Sequence, residues 1–250
     1  MQFCVTFIII YDIIFMQVFF VQKKQNIMEK NDKMKKANKV IKKPNIFYRI
    51  IKRFFDILVS IIGLILTIPV YIIIKLCYIF TGDFSCIIYS HYRIGKNGKK
   101  FKLYKFRSMV KDADKKLEEL LKNDKALAAE WKENHKLDND PRITGIGKFI
   151  RKTSLDEFPQ FFNLLKGDMS LIGPRPLVEG ELDSHKGNHK LYESMRPGIT
   201  GWWAANGRSC TSYKQRLELE YYYVEHASLW LDIKCIFKTI CALITRNGAK

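Results

Sequence analysis

Arg151-Lys-Thr-Ser-Leu-Asp156-Glu157-Phe-Pro159-Gln160 runs on through Lys166-Gly-Asp168-Met-Ser-Leu-Ile-Gly173-Pro174-Arg175-Pro176. Two adjacent carboxylates lie between basic residues, and a Pro-Arg-Pro turn follows. Pro159 has no amide donor and clashes with a preceding turn, so it is tolerated only near a helix start. Phe158 to Leu165 is apolar enough for a helix, which predicts one beginning here with Asp156 and Glu157 at its N-terminus. Free amides and the helix dipole at that end favour anions, keep a carboxylate ionised and attract phosphate. An ionised carboxylate facing a phosphate is what nucleophilic phosphoryl chemistry needs. A carboxylate pair that merely caps a helix is the alternative these residues leave open.

Upstream, Ile57 to Ile74 carries no charge. As a helix it reaches about 27 Å, close to the hydrocarbon thickness of a bilayer. Pro69 interrupts it, and in lipid the freed carbonyl needs a local partner, which the Thr67 hydroxyl is placed to supply. Both flanks are basic: Lys42, Lys43, Arg49, Lys52 and Arg53 before, Arg93, Lys96, Lys99, Lys100 and Lys102 after. If both stay on the cytoplasmic side, the helix enters and turns back; an ordinary spanning helix is the alternative. A second apolar run, Phe3 to Val21, is about long enough to span, but Asp12 near its middle is costly in lipid. It lacks the basic start and cleavage site of a signal peptide. Lys23 and Lys24 after it place that side in the cytoplasm, and translation from Met28 or Met34 would omit it.

The 250 residues allow one catalytic domain plus membrane segments, and the formal charge of +18 calls for an anionic partner. Residues 23–51 form a basic linker suited to anionic lipid or to solvent. Within this linker no aromatic residue precedes Phe47, which weakens a nucleic-acid reading. The six cysteines form no C-x-x-C pair and several sit in apolar runs, so reduced thiols are expected.

Downstream, Cys86 to Tyr89 and Lys100 to Phe106 read as short strands joined by a Gly95–Gly98 turn. Lys105 and Arg107 alternate with aromatics, and two cations on one strand face suit a diphosphate, solvent or a membrane surface. Val110 to Lys136 reads as one or two amphipathic helices. Arg196-Pro-Gly198 and Asn206-Gly-Arg208 are loops whose arginines suit phosphate and whose glycines allow close backbone approach. His185 and His189 are separated by Gly187 and Asn188, which favours a loop over a metal site. Tyr213 to Glu225 reads as a helix, and Leu229 to Ile244 as a half-buried apolar helix docked on a membrane face.

These blocks together resemble the bacterial sugar transferase family, the monotopic polyprenyl-phosphate phosphoglycosyl transferases. The resemblance runs from about Lys52 to the C-terminus. It rests on Lys52-Arg53-Phe-Phe-Asp56, Lys105-Phe-Arg107-Ser-Met109, Asp140-Pro-Arg-Ile-Thr144, Leu155-Asp-Glu157, Gly173-Pro-Arg-Pro176, Arg196-Pro-Gly-Ile-Thr-Gly201, Asn206-Gly-Arg208 and Ser228-Leu-Trp-Leu-Asp232, in that order. Glu130-Trp131 and His135-Lys-Leu137 are similar to the branch that transfers galactose- or glucose-phosphate. That branch often has an N-terminal helix bundle and an extra domain, so this chain reads as a minimal version. The chain departs from the family at Ile68-Pro69 (usually Ser-Pro), at His91 (usually Gln) and at Trp202-Trp203-Ala-Ala205.

The resemblance implies an α+β membrane-associated fold: a re-entrant helix-break-helix over residues 52–80 and a mostly helical cytoplasmic catalytic domain over 81–250. Residues 1–22 are then a further membrane helix or are not translated. It implies transfer of a hexose 1-phosphate from a UDP-sugar to undecaprenyl phosphate, with UMP released, at the cytoplasmic face of the bacterial inner membrane. Asp156 is the implied nucleophile and metal contact for Mg²⁺, with Glu157 in support. Lys105, Arg107, Arg151, Asp168, Pro174, Arg175, Pro176, Arg196 and Arg208 are the implied substrate contacts. The lipid bilayer is the implied environment, nucleic acid is not an expected partner, and a homodimer stays open. A membrane-anchored basic protein that binds nucleic acid or acidic lipid without chemistry is the competing reading.

Overall fold

A computed structural model describes residues 45–134, 137, 139–181, 189–207 and 211–245. Residues 1–22, most of the basic linker, His185 and Arg208 lie outside this set.

Helix α1, Ile46–Phe80, has 35 residues, about 52 Å at the usual rise. Asn45 caps it by accepting the Phe47 amide, so the helix starts ahead of Lys52. It stays helical through Pro69, where the sequence predicts a break. One missing amide is a small loss against the packing on both sides: Gly63 lies against Phe161, and Val70 and Ile74 belong to a core cluster with Tyr78, Ile87, Phe106 and Ile150. The Thr67 hydroxyl donates to the Gly63 carbonyl at 2.7 Å and lies 3.4 Å from the Phe158 carbonyl. The carbonyl that Pro69 leaves without its amide is that of Ile65, so Thr67 ties the turn before the gap.

The two faces of α1 differ along its whole length. Tyr48, Asp56, Ser60, Gly63, Ile74 and Tyr78 are buried against the rest of the chain, at the spacing of one helical stripe. Phe54, Ile61, Ile65, Ile68, Ile72 and Phe80 are exposed. The buried stripe is polar at its start. The Lys52 ammonium pairs with Asp232 at 2.7 Å. Arg53 donates to the Leu164 and Leu165 carbonyls at 2.8 and 2.7 Å. Asp56 accepts the Ser170 hydroxyl and the Leu171 amide. At the far end the Tyr78 hydroxyl donates to the Arg107 carbonyl at 2.6 Å.

Strands β1 (Ile88–Ile94) and β2 (Lys100–Phe106) form an antiparallel hairpin. Its tip needs positive φ at Asn97 and Gly98, 57° and 72°, which these two residue types tolerate best. Pairing runs from Ile88↔Phe106 to Ile94↔Lys100, so the first strand is longer and later than its sequence suggests. Strand alternation puts Tyr89, His91 and Arg93 on one face with Lys105, Leu103 and Phe101.

The amphipathic stretch forms α2 (Ala113–Asn123) and α3 (Lys125–Asn134). Then come α4 (Gly145–Lys152), a short 3-10 turn (Leu155–Glu157) and α5 (Gln160–Lys166). Strands β3 (Ser170–Ile172) and β4 (Gly198–Thr200) pair in parallel, with α6 (His189–Tyr192) between them in sequence. Helices α7 (Trp202–Ala205), α8 (Tyr213–His226) and α9 (Leu229–Thr245) complete the chain. Helix α9 buries Leu231, Asp232 and Cys235 and exposes Trp230, Ile233, Phe237 and Ile240. Its Asp232 is the partner of both Lys52 and Tyr48, which ties α9 to the start of α1.

Gly63 of α1 lies against Phe161 of α5. A Cβ there would sit 2.4 Å from Cγ of Phe161. Gly63→Val is therefore expected to destabilise the fold by about 1–3 kcal/mol through overpacking. The check is a thermal unfolding midpoint below wild type in detergent.

Candidate active site

Asp156 and Glu157 do not sit inside a helix end. They occupy the 3-10 turn that precedes α5, entered through Ser154 at φ 56°. Pro159 is the cap of α5, as its missing amide requires. The tight turn sends the two side chains into different surroundings. Asp156 is buried, while the Glu157 side chain is 41% exposed. One ammonium serves both: Lys105 Nζ lies 3.3 Å from Asp156 Oδ2 and 3.2 Å from Glu157 Oε1. Lys105 reaches them because strand β2 passes beside the turn. Asn163 of α5 holds it there, accepting the Tyr104 amide and donating to the Lys102 carbonyl at 2.7 Å.

Burial pushes the Asp156 carboxyl above its usual range. Lys105 opposes that shift, Glu157 adds to it, and the field of Arg151 opposes it again. The sequence assigns the ionised state to a helix end; in the folded chain a lysine from a distant strand favours it.

The remaining predicted contacts divide into those near this pair and those away from it. Arg151 is exposed at the end of α4 and acts on Asp156 through its field. Arg107 pairs with Asp83 at 2.7 Å and stacks over the Tyr78 ring at 4.7 Å. Its Nε and Nη1 are buried without partners. Asp168 pairs with Lys166 at 3.1 Å and accepts from Asn163 Nδ2, which places it beneath α5. Arg196 lies in the field of Arg53, Asp56 and Asp168, near the start of α1. Arg208 lies outside the described residues.

The Pro174-Arg175-Pro176 turn is shaped from behind. The Arg175 amide donates to Glu220 at 3.3 Å and its carbonyl accepts the Tyr192 hydroxyl at 2.8 Å. Tyr192 also donates to Glu220, and Arg216 lies between Glu220 and Glu181. Burial raises the Glu220 carboxyl above its usual value, with Arg216 opposing. The guanidinium groups of Arg175 and Arg216 lie 5.7 and 5.0 Å from the Trp203 ring. Trp203 also donates to Thr211. The unusual Trp202-Trp203 pair is thus packed: Lys238 and Tyr222 cover Trp202.

The glycines of these loops serve the backbone. A Cβ on Gly173 would lie 2.4 Å from the Arg196 carbonyl, and one on Gly198 would lie 2.2 Å from the Gly173 amide nitrogen. The close approach expected toward a ligand is made between the two loops themselves. The Asp140-Pro-Arg142 block is likewise structural. Arg142 grips Asp140 at 2.8 and 2.6 Å, both buried, over the Trp131 ring.

Sequence reasoning missed Asp83, Glu220 and Asn163. Glu220 had a local signal, since it follows Arg216 by one helical turn on α8. Asp83 and Asn163 had none for these roles, because Arg107, Lys102 and Tyr104 are distant from them in the chain.

A buried carboxylate beside a second one, gripped by a lysine and followed by a Pro-Arg-Pro turn, defines a candidate anionic centre for phosphoryl chemistry. Residues 47–246 match the family described as bacterial sugar transferase. This chain belongs to that family. It is 49% identical over 201 residues to the undecaprenyl-phosphate galactose phosphotransferase of Salmonella typhimurium, covering 80% of this chain and 42% of that protein. It is 42% identical over 198 residues to the exopolysaccharide production protein ExoY of Sinorhizobium fredii, covering 79% of this chain and 87% of that one. It is 40% identical over 232 residues to the galactosyl transferase CpsE of Streptococcus agalactiae, covering 90% and 50%. Of the Salmonella protein and the UDP-galactose-lipid carrier transferase of Erwinia amylovora, the chain spans 42% of the length.

The pKa shift of Asp156 carries a signed prediction. Its folded pKa is raised, so the ionised carboxylate opposes folding. The penalty is absent at low pH and appears as pH rises through the folded pKa. Asp156→Asn should therefore raise the unfolding midpoint at neutral pH, and the gain should vanish toward about pH 4. Thermal scans of both proteins at the two pH values test it.

Proposed function

We propose that this chain transfers a hexose 1-phosphate from a UDP-sugar to undecaprenyl phosphate and releases UMP. Galactose or glucose is the proposed sugar. The reaction is the first membrane step of exopolysaccharide, capsule or other glycoconjugate synthesis. The observation that carries this reading is Asp156: a buried carboxylate with its Lys105 partner, in a chain of the sugar transferase family. The names of the Salmonella and Erwinia relatives support the substrate class.

The chemistry proceeds in two displacements. An oxygen of Asp156 attacks the sugar-bearing phosphorus, a new P–O bond forms, and the bond to the UMP oxygen breaks. The phosphosugar then sits on Asp156. A phosphate oxygen of the lipid carrier attacks the same phosphorus and returns Asp156 as a carboxylate. Lys105 favours the ionised nucleophile beforehand and can pass to the phosphate as the Asp156 charge is consumed. Glu157, more exposed and held by the same lysine, orients that exchange.

Mg²⁺ is part of this reading. Among the described residues no three His, Cys, Asp or Glu side chains form a metal cluster. An adjacent Asp156–Glu157 pair still fits an ion that takes one or two carboxylates and completes its shell with substrate phosphate and water. Asp156 would be its protein contact. When bound, the ion offsets charge on the diphosphate.

Helix α1 supports the proposed membrane placement. Its packed stripe runs from Tyr48 to Tyr78, about 45 Å along the helix. A helix that crossed the bilayer would carry the catalytic residues into lipid with it. We therefore place both ends of α1 on the cytoplasmic side of the inner membrane, with its bare face in one leaflet. Cysteines at Asn45 and Phe84, in a background without other thiols, should both react with an impermeant maleimide from the cytoplasmic side. Reaction of one from each side would refute this.

The test of the reaction is UMP release from a panel of UDP-sugars by detergent-solubilised protein with Mg²⁺ and undecaprenyl phosphate. One or two sugars should support it. Asp156→Asn should lower the rate by roughly a thousandfold or more, as loss of a nucleophile does. Wild-type turnover in that variant would exclude the covalent route.

A further inference from the structure

The reading above leaves a group of buried polar atoms unused. Nδ1 and Nε2 of His91 and Nε of Arg93 are closed off from solvent and have no hydrogen-bond partner. Buried polar atoms are nearly always paired, so orphans gathered on one strand face mark a place where something else binds.

Their position is set by the hairpin register. Lys105 lies opposite Tyr89, His91 opposite Leu103 and Arg93 opposite Phe101. Rows on one face are about 7 Å apart. His91 is thus one row from the lysine that grips Asp156 and Glu157, and Arg93 is one row further.

Three cations act on His91. Burial pulls its pKa down to about 4, and Arg93, Lys105 and Arg175 pull in the same direction. The ring is therefore neutral at physiological pH, with one N–H donor and one acceptor. A neutral donor in the field of these cations fits an anion, because the cations supply attraction and the ring supplies direction. Tyr89, about half exposed, stacks on the ring with centroids 5.5 Å apart. It is the cover that must swing aside.

We propose that His91 donates a hydrogen bond to the phosphate of the departing nucleotide, with Arg93 and Arg175 completing the seat. This assignment rests on the phosphoglycosyl reading. When Asp156 takes the sugar-bearing phosphorus, the neighbouring phosphate of the diphosphate lies toward the next row of the hairpin. His91 then serves the first displacement and nucleotide affinity. It has no part in the second, from which the nucleotide has gone.

The experiment measures UMP binding to the full-length protein in detergent by calorimetry, for wild type, His91→Gln and His91→Phe. Glutamine keeps a neutral donor and acceptor; phenylalanine keeps the stack and loses both. His91→Phe should bind UMP about tenfold more weakly, as expected for loss of a hydrogen bond to a charged group, and His91→Gln within about threefold of wild type. KM for the donor should follow the same order. Chase of preformed intermediate by polyprenyl phosphate should be unchanged in both variants. In wild type, the ring nitrogen resonances of His91 should shift on adding UMP but not uridine, a readout that survives even if His91→Phe fails to fold.

Wild-type UMP affinity in His91→Phe, or a UMP-insensitive ring, would overturn the assignment. Equal dependence on His91 for polyprenyl phosphate binding would move the seat to the acceptor and overturn it as well. Failure of every UDP-sugar to yield UMP, with His91-dependent UMP binding intact, would instead overturn the functional reading.

Discussion

The structure depends on how the start of α1 is anchored. Lys52, Arg53 and Asp56 stand at the head of a helix whose other face is bare hydrocarbon. Each is satisfied by the chain that follows: Lys52 by Asp232, Arg53 by the last carbonyls of α5, Asp56 by the start of β3. Charged groups removed from water are tolerated only when they are paired and hydrogen-bonded. The anchor therefore fixes α1 against α5, β3 and α9 together. The candidate nucleophile lies in the turn just before α5, so the same anchor sets its distance from the apolar face.

The centre itself shows how a carboxylate is kept usable while buried. Desolvation alone would favour a protonated Asp156. The lysine of β2 opposes it, and shares itself with Glu157. The same hairpin continues away from the pair as a face bearing His91 and Arg93. Beyond it, Arg175 is presented by a turn whose backbone is held by Glu220 and Tyr192. Buried carboxylates thus do two different jobs. Asp156 shares one lysine with Glu157 and keeps a raised pKa, while Glu220 takes several donors and holds a loop.

Some of this was readable from the chain. The carboxylate pair, its following proline and the apolar segment are local signals, and so are the helices of the C-terminal part. Asn163 and Asp83 show what was not readable. Each acts on a residue far away in sequence, and no spacing rule connects them. The role of the glycine in the Arg196-Pro-Gly198 loop was legible as close approach, but the partner was not: it is the Gly173 loop. Arg107 and Asp168 were assigned by charge and order, and the fold gives both to internal partners.

The sequence by itself determined the periodic and the local. It set where an apolar helix forms, where proline stops or starts a turn, and which carboxylates stand side by side. Those follow from backbone sterics and side-chain spacing within a few residues. Only the tertiary structure decided which cation meets Asp156, which face of α1 is covered, and which arginines remain near the centre. These are outcomes of desolvation and pairing between distant segments, and no short stretch of chain contains both partners.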